Sequence, residues 1–501
     1  MFESFQLGLE VALSWQGLLM CAIGVMLGTL IGVLPGVGVL AAVSLLLPLT
    51  YGYPPAIGLI MLSGVFYGAA YGGSTTAILL NLPGTANTAV TCLDGYPMSQ
   101  KGRGGVALFI STIASFLGSI AGAIVLATLS IPLAAFARSF GAQEYFAVIV
   151  MAIVAASAFA NHGLVRALTM TAIGLLIGMV GIDLNSGVER YTFGAMSLYD
   201  GMPIVALAIG LFGLPEVLSN LALPTPPKAP KVRIRMRDFL PSRDEWRRSV
   251  PSMGRGMTVG SVMGIMPGAG SLIASFISYS VERNSSKTPE EFGEGAIEGV
   301  AGPETANNAA IQTAFIPTLS LGVPGDSTMA IVLAALIFHG ISPGPNFPIE
   351  HPDIFWGLIV SFLIGNLMLL VLNLPMIGLW VRVLSIPYTV LVPCIVVFSC
   401  IGVYSVRYST VDILLVAGFG LFGYLARLFR LDAPPLLLGF VLGPMMEENF
   451  RRTLLLSRGD VSAFFNTPLV LGIYGATILL LVWTGRRRLF SFAGFLRKRR
   501  K

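Results

Sequence analysis

The chain has 501 residues, of which 55% are hydrophobic and only 11% charged, and its mean hydropathy is +0.81. Ordinary soluble domains carry roughly a quarter charged residues. This composition therefore excludes a soluble fold and assigns most of the surface to lipid or to a membrane-buried core. The net charge of +6 is not a nucleic-acid footprint, because the excess sits in residues 228–248 and in the tail, at Arg486, Arg487 and Arg488 and in residues 497–501. Lys and Arg accumulate in cytoplasmic loops, so both stretches belong inside.

In chain order, residues 1–16 form a short N-terminal segment without Lys or Arg and without the basic n-region of a removable signal peptide. Apolar runs of the ~20 residues that cross a bilayer follow, for example 106–131, 204–223, 354–375 and 468–483. We expect about ten to twelve transmembrane segments in an all-α polytopic fold. Its parts are a first membrane repeat at 17–223, a basic cytoplasmic linker at 224–251, a second repeat at 252–484 and a basic cytoplasmic tail at 485–501. The four cysteines contain no CxxC pair and the three histidines are scattered, which argues against a transition-metal site or a disulfide framework.

The two halves resemble each other. Gly24, Gly28, Gly32 and Gly36 recur every fourth residue and end in GVLPGVG; Gly256, Gly260, Gly264 and Gly268 do the same and end in GIMPGAG. A second pair, NLPGTANTA from Asn81 and GVPGDSTMA from Gly322, follows in each half. Two repeats are the simplest account. Charge suggests that they are inverted. The loop 94–105 carries Lys101 and Arg103, which favours the cytoplasm, whereas 340–353 has no Lys or Arg but has Glu350 and Asp353, which favours the periplasm. The same reasoning puts the N-terminus in the periplasm and the C-terminus in the cytoplasm.

Pro removes a backbone donor and Gly tolerates non-helical conformations, so a Pro-Gly inside an apolar segment breaks the helix. The backbone groups it frees are tolerated at membrane depth only where protein, water or a ligand satisfies them. Four breaks occur, at Pro35-Gly36, Pro83-Gly84, Pro267-Gly268 and Pro324-Gly325. Polar residues cluster around them: Ser74, Thr75, Thr76, Asn81, Thr85, Asn87 and Thr88 in the first half, and Asn307, Asn308, Gln312, Thr313, Asp326, Ser327 and Thr328 in the second.

Hydroxyls, amides and helix N-termini suit a carboxylate. The candidate substrate residues are accordingly Gly36, Ser74, Thr75, Thr76, Asn81, Gly84, Thr85, Asn87, Gly268, Asn307, Asn308, Thr313, Gly325, Ser327 and Thr328. Thr85 and Asp326 fall at helix starts, where capping is an equally ordinary role. A carboxylate at Asp326 would repel an anion, so capping or a cation-linked role fits it better, with Pro35 and Pro267 as the other cation-site candidates.

Enzyme signatures are missing. There is no Walker A sequence, no HExxH and no GxSxG, and GFGLFG (418–423) lies inside an apolar helix with no strand before it, where packing explains it. No catalytic residue and no cofactor is expected. An intramembrane enzyme and an ion channel are the competing classes.

GVLPGVG, GIMPGAG, YGGSTTAILLNLPGTANTA (71–89), PETANNAA (303–310), VPGDSTMA (323–330), RYTFG (190–194) and GPMMEENFRR (443–452) closely resemble the large membrane subunit of the tripartite tricarboxylate transporters, the TctA family, from about residue 15 to residue 483. The resemblance implies secondary active uptake of a small carboxylate across the bacterial inner membrane. It also implies two partners: a periplasmic solute-binding protein and a small four-helix membrane subunit. No apolar hairpin follows Trp483, so that subunit is expected as a separate chain. Glu447, Glu448, Arg451 and Arg452 are expected to form an ion-pair cluster or a partner contact.

A multiply charged anion entering the cell moves against the membrane potential at about 2.3 kcal/mol per charge per 100 mV, so accumulation needs a co-transported cation. Na⁺ is the first expectation, because the breaks offer neutral oxygens and few buried acids are visible; H⁺ is the alternative. Moving the Pro-Gly elements in an elevator-like manner is the expected mechanism.

Overall fold

The computed structural model describes residues 2–34, 38–160, 162–183, 185–221, 239–268, 270–373, 375–376, 379–380 and 388–498. Pro35 and Gly36, and most of the basic linker, lie outside the described residues. The α-helices in chain order are α1 (Phe2–Leu13), α2 (Trp15–Val33), α3 (Gly38–Leu46), α4 (Pro55–Leu80), α5 (Thr91–Met98), α6 (Gly104–Ala137), α7 (Ala142–Ala158), α8 (Leu164–Gly178), α9 (Ile204–Ala208), α10 (Leu214–Leu221), α11 (Arg243–Ile265), α12 (Gly270–Ser285) and α13 (Glu298–Thr313). They continue with α14 (Phe315–Leu321), α15 (Ser327–Phe338), α16 (Phe347–Glu350), α17 (Pro352–Asn373), α18 (Tyr388–Arg407), α19 (Thr410–Leu428), α20 (Ala433–Leu456) and α21 (Pro468–Lys498). The strands described are one two-residue hairpin, β1 (Gly181–Ile182) against β2 (Glu189–Arg190).

Five described helical spans are long and apolar enough to cross a membrane by length and composition. Shorter apolar helices, such as Leu164–Gly178 and Ser327–Phe338, accompany them. Large apolar side chains stay exposed along several helices, among them Ile124, Leu367, Val371, Leu414, Leu421 and Leu479, as lipid-facing surfaces require. The all-α polytopic membrane fold read from composition is the fold observed.

The chain divides into two compact units that do not follow the two halves of the sequence. Unit 1 takes Met1–Ala135 and Pro203–Leu425, and unit 2 takes Phe136–Met202 and Ala426–Lys501. Each half of the sequence contributes to both.

Unit 1 is organised by glycine. A Cβ at Gly24, Gly28 or Gly32 of α2 would meet the carbonyl oxygens of Met61, Val65 and Ala69 of α4 in turn. The constant stagger means that α2 and α4 run parallel, backbone against backbone, as small residues allow in membranes. Gly256, Gly260 and Gly264 of α11 meet the carbonyls of Gly302, Ala306 and Ala310 of α13 with the same spacing. Gly118 and Gly122 of α6 approach Thr305 and Ala309 on another side of α13. Every residue of α13 is buried, as are residues 56–79 of α4. These two helices therefore form the core of unit 1.

One end of unit 1 is tied by charge. Lys101 Nζ donates to Glu294 O at 2.5 Å, and Arg103 pairs with Glu245. Arg248 grips Glu298 at 2.7 and 2.8 Å and Glu291 at 2.6 Å. Asp94 Oδ1 accepts from the backbone N–H groups of Gly293, Gly295 and Ala296, each at 2.8 Å. At the starts of α2 and α4 different residues meet: Thr50 lies 3.4 Å from His339 Nε2, and the Tyr51 and Phe338 rings are 5.1 Å apart. The α2/α4 pair starts beside Thr50, whereas the α11/α13 pair starts beside Arg103 and Glu294. GFGLFG packs as expected, with Gly420 and Gly423 against Leu214 and Pro215.

Unit 2 joins α7, α8, the hairpin, α20 and α21. Gly174 and Gly178 let α8 lie against the carbonyls of Leu436 and Phe440. The RYTFG and EENFRR motifs meet here: Arg190 donates to Glu447 at 2.7 Å, and Arg451 bonds both Glu447 at 2.6 Å and Asp183 at 2.9 Å. Hydrogen bonds from Ser186 and Asn185, together with Arg451, hold the Asp183 carboxyl down at about 2. Since the unfolded value is near 3.9, this contribution to stability is complete above about pH 4 and lost as pH falls through about 2. In melts between pH 5 and 2, the stability gap between wild type and Asp183→Asn should narrow towards zero at the acid end. A gap that is constant with pH would show that the carboxylate charge does not matter.

Candidate functional site

The described breaks are local consequences of their sequences. The first follows α4, which ends at Asn81 in the left-handed region (φ 56°). Residues 82–85 are not helical, and Thr85 caps the short helix Ala86–Ala89 in a reciprocal box with Thr88. The second break ends α11 at Ile265, passes Gly268 at φ 78° and restarts as α12 at Gly270. The third ends α14 at Gly322 (φ 69°) and restarts at α15, whose N-cap Asp326 accepts from Met329 N at 2.9 Å.

These breaks meet inside unit 1. Gly268 N donates to Gly325 O at 2.8 Å, joining the second break to the third. A Cβ at Gly270 would lie 3.0 Å from the Asp326 Cβ, so the starts of α12 and α15 are close neighbours. Asn87 Nδ2 donates to Ser271 Oγ at 2.6 Å and brings the first break to the same place. Gly84 packs against Gly32 and Gly73 with no room for a side chain, which seats this loop on the α2/α4 pair. Two helix N-termini, each with a partial positive charge, thus converge beside amide and hydroxyl groups, and the Asp326 carboxyl caps the one at α15. That arrangement suits an anion.

The remaining candidates divide by what already satisfies them. Thr76 donates to Gly73 O at 2.9 Å and Thr313 to Ala309 O at 3.0 Å, both within their own helices; Thr313 also faces Gly264 at the second break. Thr75 is buried in α4, while Asn81 is exposed. Gly325 N donates to Thr318 Oγ1 at 3.3 Å, Pro267 lies in the second break, and Ser327 and Thr328 open α15. On α13, Asn308 Nδ2 donates to Glu304 O at 3.0 Å. Its Oδ1, both side-chain polar atoms of Asn307 and both of Gln312 are buried without a hydrogen-bond partner among the described residues. Buried polar groups are ordinarily paired, so these amides are candidates to take a polar ligand.

Ser74 has a different environment from the one its neighbours suggested. Its hydroxyl donates to both carboxylate oxygens of Glu304, at 2.9 Å each. Sequence reasoning missed Glu304. It also expected few buried acids, and that expectation is corrected: Asp94, Glu245, Glu282, Glu298 and Glu304 are all buried in unit 1. The available signal was a lone acid amid the small residues of PETANNAA. Its partners come from helices about two hundred residues away and leave no local trace.

Comparison with known proteins agrees with this architecture. Residues 18–438 match the Tripartite tricarboxylate transporter TctA family. The chain is 47% identical over 482 residues to the uncharacterized 52.8 kDa protein in the TAR-I ttuC' 3' region of Agrobacterium vitis, covering 96% of both chains. It is 50% identical over 223 residues to the uncharacterized protein in the TAR-II ttuC' 3' region of the same organism, covering 44% of this chain and 92% of that one. No solved structure matches. The chain belongs to the tripartite tricarboxylate transporter TctA family, and it is a multi-pass membrane protein of a transport system.

Proposed function

We propose that this chain is the large transmembrane subunit of a binding-protein-dependent, ion-coupled importer of small organic anions, namely di- or tricarboxylates or related carboxylates, in the bacterial inner membrane. The observation that carries the proposal is the meeting of three helix breaks around two helix N-termini, bridged by Asn87 and Ser271. Such broken helices near the midplane are how many secondary transporters hold an anionic substrate.

Two inverted repeats are supported by the glycine-packed pairs, because Ile78 and Leu79 at the end of α4 cluster with Met253 near the start of α11 and with Val300 and Ala301 at the start of α13. The same placement supports a periplasmic N-terminus, with loop 94–105 and the basic linker in the cytoplasm. Elevator-like movement is supported by a division in which each half supplies part of both units. The partners in this reading are a small four-helix membrane subunit and a periplasmic solute-binding protein. The coupling ion is Na⁺, with H⁺ as the alternative, and no organic cofactor takes part.

Reconstitution tests the partner requirement. Proteoliposomes holding this chain and the small subunit, supplied with carboxylate-loaded binding protein, should accumulate substrate. Omitting either partner should reduce uptake to background. Full uptake by this chain alone would make it a stand-alone carrier or a channel.

A further inference from the structure

We propose that Glu304, together with the hydroxyls of Ser74, Thr91 and Ser115, binds the co-transported Na⁺. The inference rests on the ion-coupled reading above and names the residues that hold the ion. Glu304 is 1% exposed in the middle of α13. Its Oε1 accepts from Thr91 Oγ1 of α5, its Oε2 lies 3.3 Å from Ser115 Oγ of α6, and Ser74 of α4 bonds both oxygens. Four helices thus deliver five oxygen atoms to one point.

The other buried acids of unit 1 have an evident reason to be there. Glu245, Glu282, Glu298 and Asp412 each pair with an arginine, and Asp94 ties down three backbone N–H groups. Glu304 has only neutral partners: among the described residues it joins no ion pair. A charge inside a membrane protein is costly unless another charge compensates it, and an intramembrane acid is a functional residue by default.

Carboxylate and hydroxyl oxygens are hard ligands, suited to a small hard cation and not to softer metals. Each hydroxyl keeps lone pairs beside the hydrogen it gives to the carboxylate, so all five oxygens can ligate a cation; the measurement below separates Na⁺ from H⁺. Tyr71 and Cys92 are the titratable side chains beside Glu304.

The position suits coupling. Thr91 opens α5 one short helix after the first break, and Ser74 lies in the last two turns of α4 before it. Sodium bound here ties the two sides of that break to α13, one turn from the unpaired amide of Asn307.

Thermal unfolding of the purified chain at fixed pH, in NaCl or in KCl at equal ionic strength, tests the site, because an ion that binds the folded state stabilises it by mass action. Wild type should gain a saturable rise in Tm with Na⁺ that K⁺ does not give. Glu304→Gln should lose that rise, and Thr91→Val, which keeps the carboxylate, should need a severalfold higher Na⁺ concentration. If Glu304→Gln does not fold, Thr91→Val and Ser115→Ala decide the matter. A wild-type Na⁺ response in the variants, or a wild-type Tm that responds to acidification and not to Na⁺, would overturn the proposal. A Na⁺ response lost at Glu304 in a protein whose uptake ignores every ion gradient would instead sink the transport reading and leave the site standing.

Discussion

Replacing Gly260 with leucine is expected to remove folded protein from the membrane instead of merely slowing transport. A Cβ at this position meets the Ala306 carbonyl oxygen and lies 2.7 Å from Ala306 Cα. The obstacle is backbone, so no rotamer change relieves it, and α11 can accept the side chain only by separating from α13. Overpacking typically costs about 1–3 kcal/mol. Displacing one of two helices that position the breaks should cost at least the upper part of that range, out of a total stability of roughly 5–15 kcal/mol. Gly254 on the same helix has open space around its Cβ, so Gly254→Leu is the matched control. Yield of monodisperse protein after detergent extraction should fall severely for Gly260→Leu and stay near wild type for Gly254→Leu. Equal yields would show that the α11/α13 contact is not close.

The second large effect separates stability from function at Asn307. Both polar atoms of its amide are buried without a partner among the described residues, and an unpaired buried polar group costs about 1–3 kcal/mol. Asn307→Leu replaces it with an apolar side chain of similar size, so folding should be unaffected or improved, with Tm unchanged or higher. Transport should move the other way. If this amide hydrogen-bonds the carboxylate during passage, losing it costs about 1.5–3 kcal/mol of a charge-assisted bond, which is on the order of a tenfold or greater loss in uptake. A variant that loses stability and uptake together would mark Asn307 as a structural residue.

Much of unit 1 was legible in the sequence because its determinants are local or periodic. Glycine at every fourth residue marks one helix face that admits another backbone, and α2/α4 and α11/α13 pack on those faces. A Pro-Gly inside an apolar run cannot continue a helix, and each described break falls where that rule puts it. Thr85 and Asp326 serve as caps, as residues of their type just before a helix start tend to.

What stayed hidden depends on contacts between distant segments. Ser74 and Thr76 read alike in the sequence and each reaches a carbonyl of its own helix, yet Ser74 also bonds Glu304; the difference is made by α13, which no local pattern around Ser74 reveals. The same holds for Asn307 and Asn308, adjacent amides of which, among the described residues, only the second finds a backbone acceptor. The two units were also hidden, because composition does not change where the chain passes from one to the other at residues 135, 202 and 425.

The central claim is that gradient energy drives carboxylate entry through this chain, and the direct measurement is accumulation in proteoliposomes under imposed gradients. The vesicles hold this chain and the small membrane subunit, and receive binding protein loaded with its own retained carboxylate. An inward Na⁺ gradient should drive accumulation above equilibrium, and equalising Na⁺ should abolish it. Uptake that ignores Na⁺ but collapses with the pH gradient would transfer the coupling to protons and remove Na⁺ from Glu304. Uptake indifferent to both gradients, levelling off when inside and outside concentrations match, would contradict the account.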